Sequence, residues 1–416
     1  MAHWFHRNPL KASSPMKFDV VLPAESKPPK DATELTKNLK AVRLKLLELL
    51  ANHSSNVGDV SVAFTEYLSL LKGFIEAPVE SGGESRLRTC IHFRWTNSLG
   101  GRTPSVQADA QYELFSIIMN VAIWHSKHGA QLAASDEIDL ETAKEVHRCL
   151  KIAAGYMLFC KEHVLTKLPP TTEKCVDHDP RIVDAYANQF QAEAQEVTLA
   201  RALELKHKPS VIYSLALETF KIFTVAADSL STLDETIVGK WMSYLRLKAL
   251  FYNSYAYCFF GQDLLVQEKC GESVKVLQHS NTMYSNVEKL CVKYSRTKGP
   301  GTIARPERHP FFQKLGPMVK HSLDKSTREN GFIFYQKVPE QVPDIPSGVV
   351  YGLATPEDLT LPPHNPLWTE EVYTALIDKK PEYPAAGTQE IAPIPEPDVA
   401  PGQNPAPKTE SSCIIA

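Results

Sequence analysis

The chain has 416 residues, 43% of them hydrophobic, so it can bury one large core or two to three ordinary ones. Its formal net charge of -3 argues against bulk electrostatic binding of nucleic acid or of an acidic membrane surface. The eight cysteines form no Cys-x-x-Cys pair, and we therefore expect reduced thiols in a cytosolic protein.

The spacing of the prolines divides the chain. Six prolines fall between Asp31 and Lys298, whereas eight fall in the 32 residues from Pro381 to Ser412. Because proline is costly inside helices, the long middle can be helical and the last segment cannot. The sequence predicts an all-α protein with minor short β elements, followed by a disordered proline-rich tail.

Apolar residues in the middle recur at steps of three and four, which is typical of amphipathic helices. The first helix is predicted over residues 31–50, with Asp31 and Glu34 as a capping box. The second is predicted to begin at Pro104 after a Thr103 cap and to stop at Gly129. Further helices are predicted over residues 140–165, 181–207, 210–230, 240–265, 270–294 and 311–330.

One stretch has a spacing similar to that of tetratricopeptide repeats. Tyr255 and Gly261 fall in a first helix, and Gly271 opens a second one. This pattern favours antiparallel helix pairs stacked into a solenoid. After it, residues 331–339 are predicted to be a short extended segment, and the proline-punctuated residues 346–372 are predicted to wrap over the helical body.

Motifs that would indicate catalysis are missing from the sequence. It contains no phosphate-binding loop, no His-Glu-x-x-His metal motif and no Gly-x-Ser-x-Gly elbow. Glu193, Glu196 and Glu204 share one helical stretch, and we interpret them as a solvated face rather than as acid–base catalysts. No stretch has the 18 or more apolar residues of a membrane-spanning helix. We therefore expect no enzyme, no cofactor, no metal and no small-molecule substrate.

Two helices carry patterns that fit either structure or binding. Lys144, Arg148 and Lys151 recur at steps of four and three and form a basic stripe, which is a solvated face or a contact surface. Apolar residues, among them Val211 and Leu215, nearly encircle the helix predicted over residues 210–230. Such a helix is buried all round or offers one side to a partner.

Four stretches resemble the Bro-one domain, the boomerang-shaped helical domain of ALIX-type proteins. They read "RWTNSL" from Arg94, "HRCLKIAAGYM" from His147, "QAEAQEVTLARALELK" from Gln191 and "NGFIFYQKVP" from Asn330. The resemblance covers about residues 1–375 and is closest to the single-domain, lipid-anchored members of the family. It implies a non-catalytic adaptor that binds the C-terminal amphipathic helices of charged multivesicular body proteins, the subunits of ESCRT-III.

The resemblance also assigns site residues. Aligned on "EAQEV", the family's groove positions fall at Thr198, Val211 and Leu215, and aligned on "AAG" its basic positions fall at Lys144 and Arg148. A bulky aromatic residue of the family is replaced by Thr198, so we expect a shallower groove. The alternative is a tetratricopeptide-like scaffold for another peptide, and an enzyme is a third, more distant class.

The segment "VVYGLATP" is the second candidate contact. Val350, Tyr351 and Leu353 are either apolar staples under a wrapping segment or a supplementary contact for a longer or second partner helix. Tyr351 would supply a flat surface with one polar end.

Cys413 lies in the motif Cys-Ile-Ile-Ala, which fits a C-a-a-X prenylation box whose last residue favours farnesyl. We expect a Bro-one domain over residues 1–375 and a disordered tether over residues 376–416. One lipid alone gives weak, reversible membrane binding. The expected protein is cytoplasmic and peripherally bound through its lipid to endosomal or nuclear-envelope membranes, with ESCRT-III as partner and no nucleic acid.

Overall fold

In the computed structural model, residues 4–19, 22, 29–79, 82–134, 138–170, 176–346, 353–377 and 390–394 are described. Ten α-helices and one two-stranded antiparallel sheet form this part of the chain, which confirms the predicted all-α class with minor β elements. The helices are α1 Lys30–Ala51, α2 Val57–Ile75, α3 Ala110–Leu132, α4 Leu140–Phe159, α5 Pro180–Glu204, α6 Pro209–Ser229, α7 Glu235–Val266, α8 Cys270–Arg296, α9 Pro310–Glu329 and α10 Glu370–Ile377.

The sheet lies between α2 and α3. Strand β1, Phe93–Thr96, pairs with β2, Pro104–Gln107, in a register that joins Phe93 to Gln107 and Thr96 to Pro104. Proline is tolerated at this end of a two-stranded sheet because its missing N–H interrupts no inner ladder. The predicted helix start at Thr103 and Pro104 is therefore wrong.

From α3 to α9 each helix packs chiefly on its neighbours in the chain, which is the arrangement of a helical solenoid. The tetratricopeptide-like pair is α7 and α8. A Cβ atom at Gly261 would overlap the Leu277 side chain, so the glycine permits the close approach of these two helices. The solenoid prediction is confirmed, and Gly271 lies at the start of α8 as predicted.

Several helix ends differ from the prediction. Helix α1 begins after Pro29 with no side-chain cap, so Asp31 and Glu34 form no capping box. Asp109 caps α3 by accepting a hydrogen bond from the Gln111 N–H, and α3 continues past Gly129. Helix α2 was not predicted; Asn56 caps it by accepting from two backbone N–H groups.

The chain after α9 returns over the helical body. Asn330–Phe334 is a π-helical turn rather than the predicted extended segment, and Tyr335 follows it with a left-handed φ of 53°. Farther on, the Trp368 indole N–H donates to the Leu70 carbonyl over 2.8 Å. The described residues from Leu353 onward thus confirm the predicted wrapping segment, and the unpredicted α10 closes it against α1.

The carboxylates of α5 are not a solvated face. Glu193 and Glu196 are both fully buried, and only Glu204 is exposed. Glu193 is paired with Arg7 at 2.7 Å and Glu196 with Lys248 at 2.5 Å. Burial raises the pKa of Glu196 to about 7, although the Lys248 charge acts in the opposite direction. These pairs bind the N-terminal segment and α7 to α5, which is a structural role.

Helix α6 is the one described helix that is long and apolar enough, by length and composition, to cross a membrane. It packs between α5 and α7, and Glu218 and Lys221 pair at 2.6 Å in its middle. A core helix of a folded protein passes the same test.

Most of the predicted tether lies outside the described residues. Of residues 376–416, the structure describes 376–377 and 390–394. The Ile391 N–H donates to the Arg102 carbonyl over 3.1 Å, and Ile394 packs against the core. This short segment is therefore seated on the helical body, and the rest of the predicted tether lies outside the described residues.

Candidate partner-binding groove

The basic stripe predicted from the sequence lies on α4. Lys144 and Arg148 are exposed and Lys151 is half-buried, so the three side chains follow one side of the helix. The Lys144 ammonium lies 2.7 Å from the Glu141 carboxylate, one turn earlier. An exposed pair of this kind contributes little stability, so Lys144 remains available to another anion.

Helix α5 packs beside α4, and Thr198 lies at the seam between them. Its hydroxyl is 3.3 Å from the His147 ring Nε2, and both side chains are half-buried. Burial lowers the pKa of His147, and the nearby Lys151 charge lowers it further. Thr198 therefore faces the basic helix with a small polar group, where the family resemblance implies a bulky aromatic one.

Helix α6 presents Val211 and hides Leu215. Val211 is 37% exposed, whereas Leu215 is 2% exposed and belongs to the main hydrophobic core. A step of four residues rotates by about 40° around a helix, which is enough here to turn the second side chain inward. The structure thus does not fit the assignment of Leu215 to an open groove, and we leave that residue out of the candidate groove.

The wrapping segment lies across α4 and α5. The Ala354 N–H donates to the Gln195 Oε1 over 2.6 Å, and the Gln191 amide donates to the Ala354 carbonyl over 3.3 Å. Two hydrogen bonds to one residue fix this part of the segment on α5. Leu353, 45% exposed, is therefore held beside α5, with Thr198 one turn beyond Gln195.

The same segment touches α4 at a glycine. The Glu357 N–H donates to the Lys151 carbonyl over 3.1 Å, and a Cβ atom at Gly155 would overlap the Glu357 carbonyl oxygen. Burial raises the pKa of Tyr156 to about 12; the Glu357 charge raises it further and the Arg148 charge opposes this. Acidic and basic groups thus share this patch of α4.

We define the candidate groove by the accessible predicted residues on the consecutive helices α4, α5 and α6 and on the wrapping segment. Its members are Lys144, Arg148, Lys151, Thr198, Val211 and Leu353. Tyr351 and Cys413, the remaining predicted site residues, lie outside the described residues.

Three residues of this region were not predicted. Gln191 and Gln195 hold the wrapping segment, and Gly155 admits it. Gly155 could have been recognised from the sequence. A glycine inside a helix lowers helix stability, so its presence indicates a position where another backbone approaches closely. No local sequence feature predicts the contacts of the two glutamines, because their partner Ala354 is about 160 residues away.

Within the described ranges, no group of three or more His, Cys, Asp or Glu side chains is placed to hold a metal ion. The surface described above offers cations, a hydroxyl and an apolar edge. Such a surface can bind a partner that carries carboxylates beside an apolar stripe.

The fold belongs to a known class of helical domain. The model of the BRO1-like domain, called Bro-one above, matches residues 16–374. The chain therefore belongs to the BRO1-domain family. It is 45% identical over 383 residues to the BRO1 domain-containing protein BROX of Mus musculus, covering 92% of each chain. It is 41% identical to BROX of Danio rerio over 420 residues, covering all of both chains.

Solved structures show the same fold at lower identity. The ALIX BRO1 domain in its complex with CHMP4C matches with a TM-score of 0.64 and 20% identity, covering 86% of this chain and 96% of that one. A Bro1 domain described as a basis for endosomal targeting matches with a TM-score of 0.62 and 16% identity, covering 91% of this chain. At these identities the likeness establishes the architecture alone.

Proposed function

We propose that the protein is a non-enzymatic adaptor that binds the C-terminal amphipathic helices of charged multivesicular body proteins, the ESCRT-III subunits, in the candidate groove. The observation that carries the proposal is the exposed basic stripe of Lys144 and Arg148 on α4 next to the Thr198 seam, together with the exposed Val211 on α6, the helix that packs on the other side of α5. An acidic amphipathic helix has the complementary pattern, an apolar stripe beside carboxylates. The ALIX BRO1 domain, which shares the fold, has been solved with CHMP4C.

The groove favours modest affinity. Burial of a Leu-sized side chain gives roughly 1.5–3 kcal/mol, and ordering costs reduce the sum of two or three such anchors. Thr198 fills less space than an aromatic residue, and Leu215 contributes no exposed surface. Binding is therefore of micromolar class, and stable recruitment depends on several subunits presented together along a polymer.

The second half of the proposal is a lipid. A farnesyl group on Cys413 holds the protein at a membrane, and the residues up to Cys413 connect it to the folded body. The protein is then cytoplasmic, with a peripheral membrane fraction on endosomal or nuclear-envelope membranes. No nucleic acid, cofactor or small-molecule substrate takes part.

The groove is tested by titrating the purified chain with fluorescent synthetic peptides of ESCRT-III C-terminal helices. We expect Val211→Asp to weaken binding at least tenfold, because it places a carboxylate at the apolar edge beside an acidic partner. Arg148→Glu should weaken it several-fold and reduce its salt dependence. The matched control is Val292→Asp, a similarly exposed valine on α8 outside the groove.

Wild-type affinity in both Val211→Asp and Arg148→Glu would place the peptide elsewhere. A wild-type chain that binds none of these peptides but captures an unrelated helical peptide would favour the tetratricopeptide-like scaffold instead. Leu353→Ala separates the supplementary contact from the main one, since it should weaken only some of the tails.

A further inference from the structure

An apolar cavity lies on the surface of α1. Its volume is about 340 Å³, and its walls come from the N-terminal segment, from α1 and from the seated tail residues. The principal apolar lining residues are Pro15, Met16, Leu44, Leu47, Pro393 and Ile394. This volume is at the small end for ligand pockets and is too small to enclose two turns of a helix about 10 Å across. A single hydrocarbon chain is small enough for this volume.

Lys40 and Glu48 lie exposed at the rim of the cavity, and the buried Arg43 in its wall is already paired. The Arg43 guanidinium donates to the Glu113 carboxylate over 2.8 Å and to the Ser13 hydroxyl over 2.6 Å. The wall of the cavity that a ligand would contact is mainly hydrocarbon. Leu44 is 50% exposed, so the cavity opens to solvent, and Met16 is a flexible side chain that adapts to irregular apolar shapes.

The tail itself forms one wall. The hydrogen bond from Ile391 to the Arg102 carbonyl fixes the segment, and Ile394 faces the cavity three residues later. Cys413 follows Ile394 by 19 positions. A loose coil of that length spans roughly 25 Å, so a group attached to Cys413 can return to the cavity that Ile394 lines.

We propose that this cavity is an isoprenoid-binding site and that its occupant is the farnesyl group on Cys413 of the same chain. The identity of the occupant rests on the farnesylation proposed above, whereas the binding property of the cavity does not. A captured lipid is withdrawn from the membrane. Because one lipid anchors a protein only weakly, a cavity of modest affinity shifts the balance between cytosol and membrane.

The first test uses N-acetyl-S-farnesyl-cysteine, titrated calorimetrically into the full chain produced without the lipid. We expect saturable binding to the wild type and at least tenfold weaker binding to Leu44→Glu, which places a charge in the wall. The matched control is Val62→Glu, an exposed apolar position on α2 outside the cavity, which should bind as the wild type does. N-acetylcysteine should not bind. Equal binding by Leu44→Glu and wild type, or no saturable binding, would overturn the proposal.

The second test uses the farnesylated chain, verified by intact mass, and phosphatidylcholine vesicles. Leu44→Glu should raise the vesicle-bound fraction several-fold over wild type, because the lipid is no longer captured, and Val62→Glu should not. An unchanged fraction in Leu44→Glu contradicts capture of the chain's own lipid. If protein from eukaryotic cells carries no farnesyl group, the proposed anchor fails, and the probe titration still decides whether the cavity binds isoprenoids.

Discussion

Val211 and Leu215 lie one helical turn apart on α6, and their different exposure separates an effect on binding from an effect on stability. Leu215→Asp would bury a carboxylate in the core, and we expect it to lower the free energy of unfolding by about 3 kcal/mol or more. Val211→Asp, at an exposed position, should change it by no more than about 0.5 kcal/mol. Denaturant unfolding of both variants measures the difference. A stable Leu215→Asp variant would return Leu215 to the groove.

The N-terminal segment contains a histidine that is held neutral. His6 is 1% exposed, and its ring Nδ1 lies 3.0 Å from the Tyr294 hydroxyl. Burial lowers the pKa of His6 to about 3; a hydrogen bond to Asn8 opposes this, and the charges of Lys240, Arg7 and Lys127 reinforce it.

The direction of the resulting pH dependence follows from proton binding. Below its ordinary pKa of 6.5, His6 binds a proton in the unfolded chain but not in the folded one, so stability falls as the pH falls. The loss from His6 alone between about pH 7.5 and about pH 5.5 is about 1.4 kcal/mol.

His6→Gln tests this. Relative to wild type, the variant should lose about 1.4 kcal/mol less between these two pH values, even if it is less stable at both. Denaturant unfolding at each pH gives the comparison. Glu196 and the other titrating groups contribute equally to the pH dependence of both proteins, so the difference between the two losses of stability isolates His6. Equal losses of stability in the variant and the wild type would mean that the His6 ring is protonated in the folded protein.

At the scale of whole elements, Gly155 controls how the wrapping segment meets α4. We expect Gly155→Ala to displace the backbone around Glu357, to cost roughly 1–3 kcal/mol of stability, and to speed amide hydrogen exchange at Ala354 and Glu357. The matched control is Gly129→Ala on α3. There a Cβ would lie at ordinary contact distances from Cys149 and Val146, and alanine favours the helix by about 0.5–1 kcal/mol. Unchanged exchange in Gly155→Ala would mean that the segment does not depend on this contact.

The elements that could be predicted from sequence are those defined by local periodicity. Helices α4 to α9 and their stacking follow from apolar residues at steps of three and four. The start of α3 was misplaced because Thr103 and Asp109 are both good caps and only tertiary context selects between them. The local pattern gives the angle of a side chain around its helix but not which neighbour covers it. The pattern on α6 therefore left Leu215 either buried or in contact with a partner, and the family resemblance assigned it to the groove.

Long-range pairing explains the remaining errors. Glu193 was expected in solvent, yet its partner Arg7 is 186 residues away. The Lys248 that pairs with Glu196 is 52 residues away. Local sequence patterns cannot reveal ion-pair partners that are this far apart in the chain. The basic stripe on α4 and the exposure of Val211 follow from local patterns, whereas Thr198 was assigned by the family resemblance, and the role of all of them in binding stays a prediction.

At the scale of the whole molecule, the proposed function gives the protein two separate contacts, the candidate groove and the lipid, with the same target, a membrane that carries an ESCRT-III polymer. Either contact alone is weak, because the groove buries few side chains and because a single lipid gives weak membrane binding. When both engage, the second binding event is intramolecular and avidity exceeds either affinity. The two contacts should therefore be separable by mutation and strongly cooperative when combined.

Cys413→Ser and Val211→Asp test this cooperation. On vesicles coated with ESCRT-III subunits, each single variant should lose most of the recruitment that the farnesylated wild type shows, because each removes one of two linked contacts. In solution Cys413→Ser should bind the tail peptides with wild-type affinity, since the lipid takes no part in the groove. On bare vesicles Val211→Asp should partition as the wild type does, since the groove takes no part in lipid insertion.

Intact mass of wild-type protein from eukaryotic cells should show one farnesyl group on Cys413 and the loss of Ile414, Ile415 and Ala416. A mass equal to the unmodified chain, or full recruitment of Cys413→Ser to the coated vesicles, would leave the groove as the sole contact and remove the lipid from the mechanism.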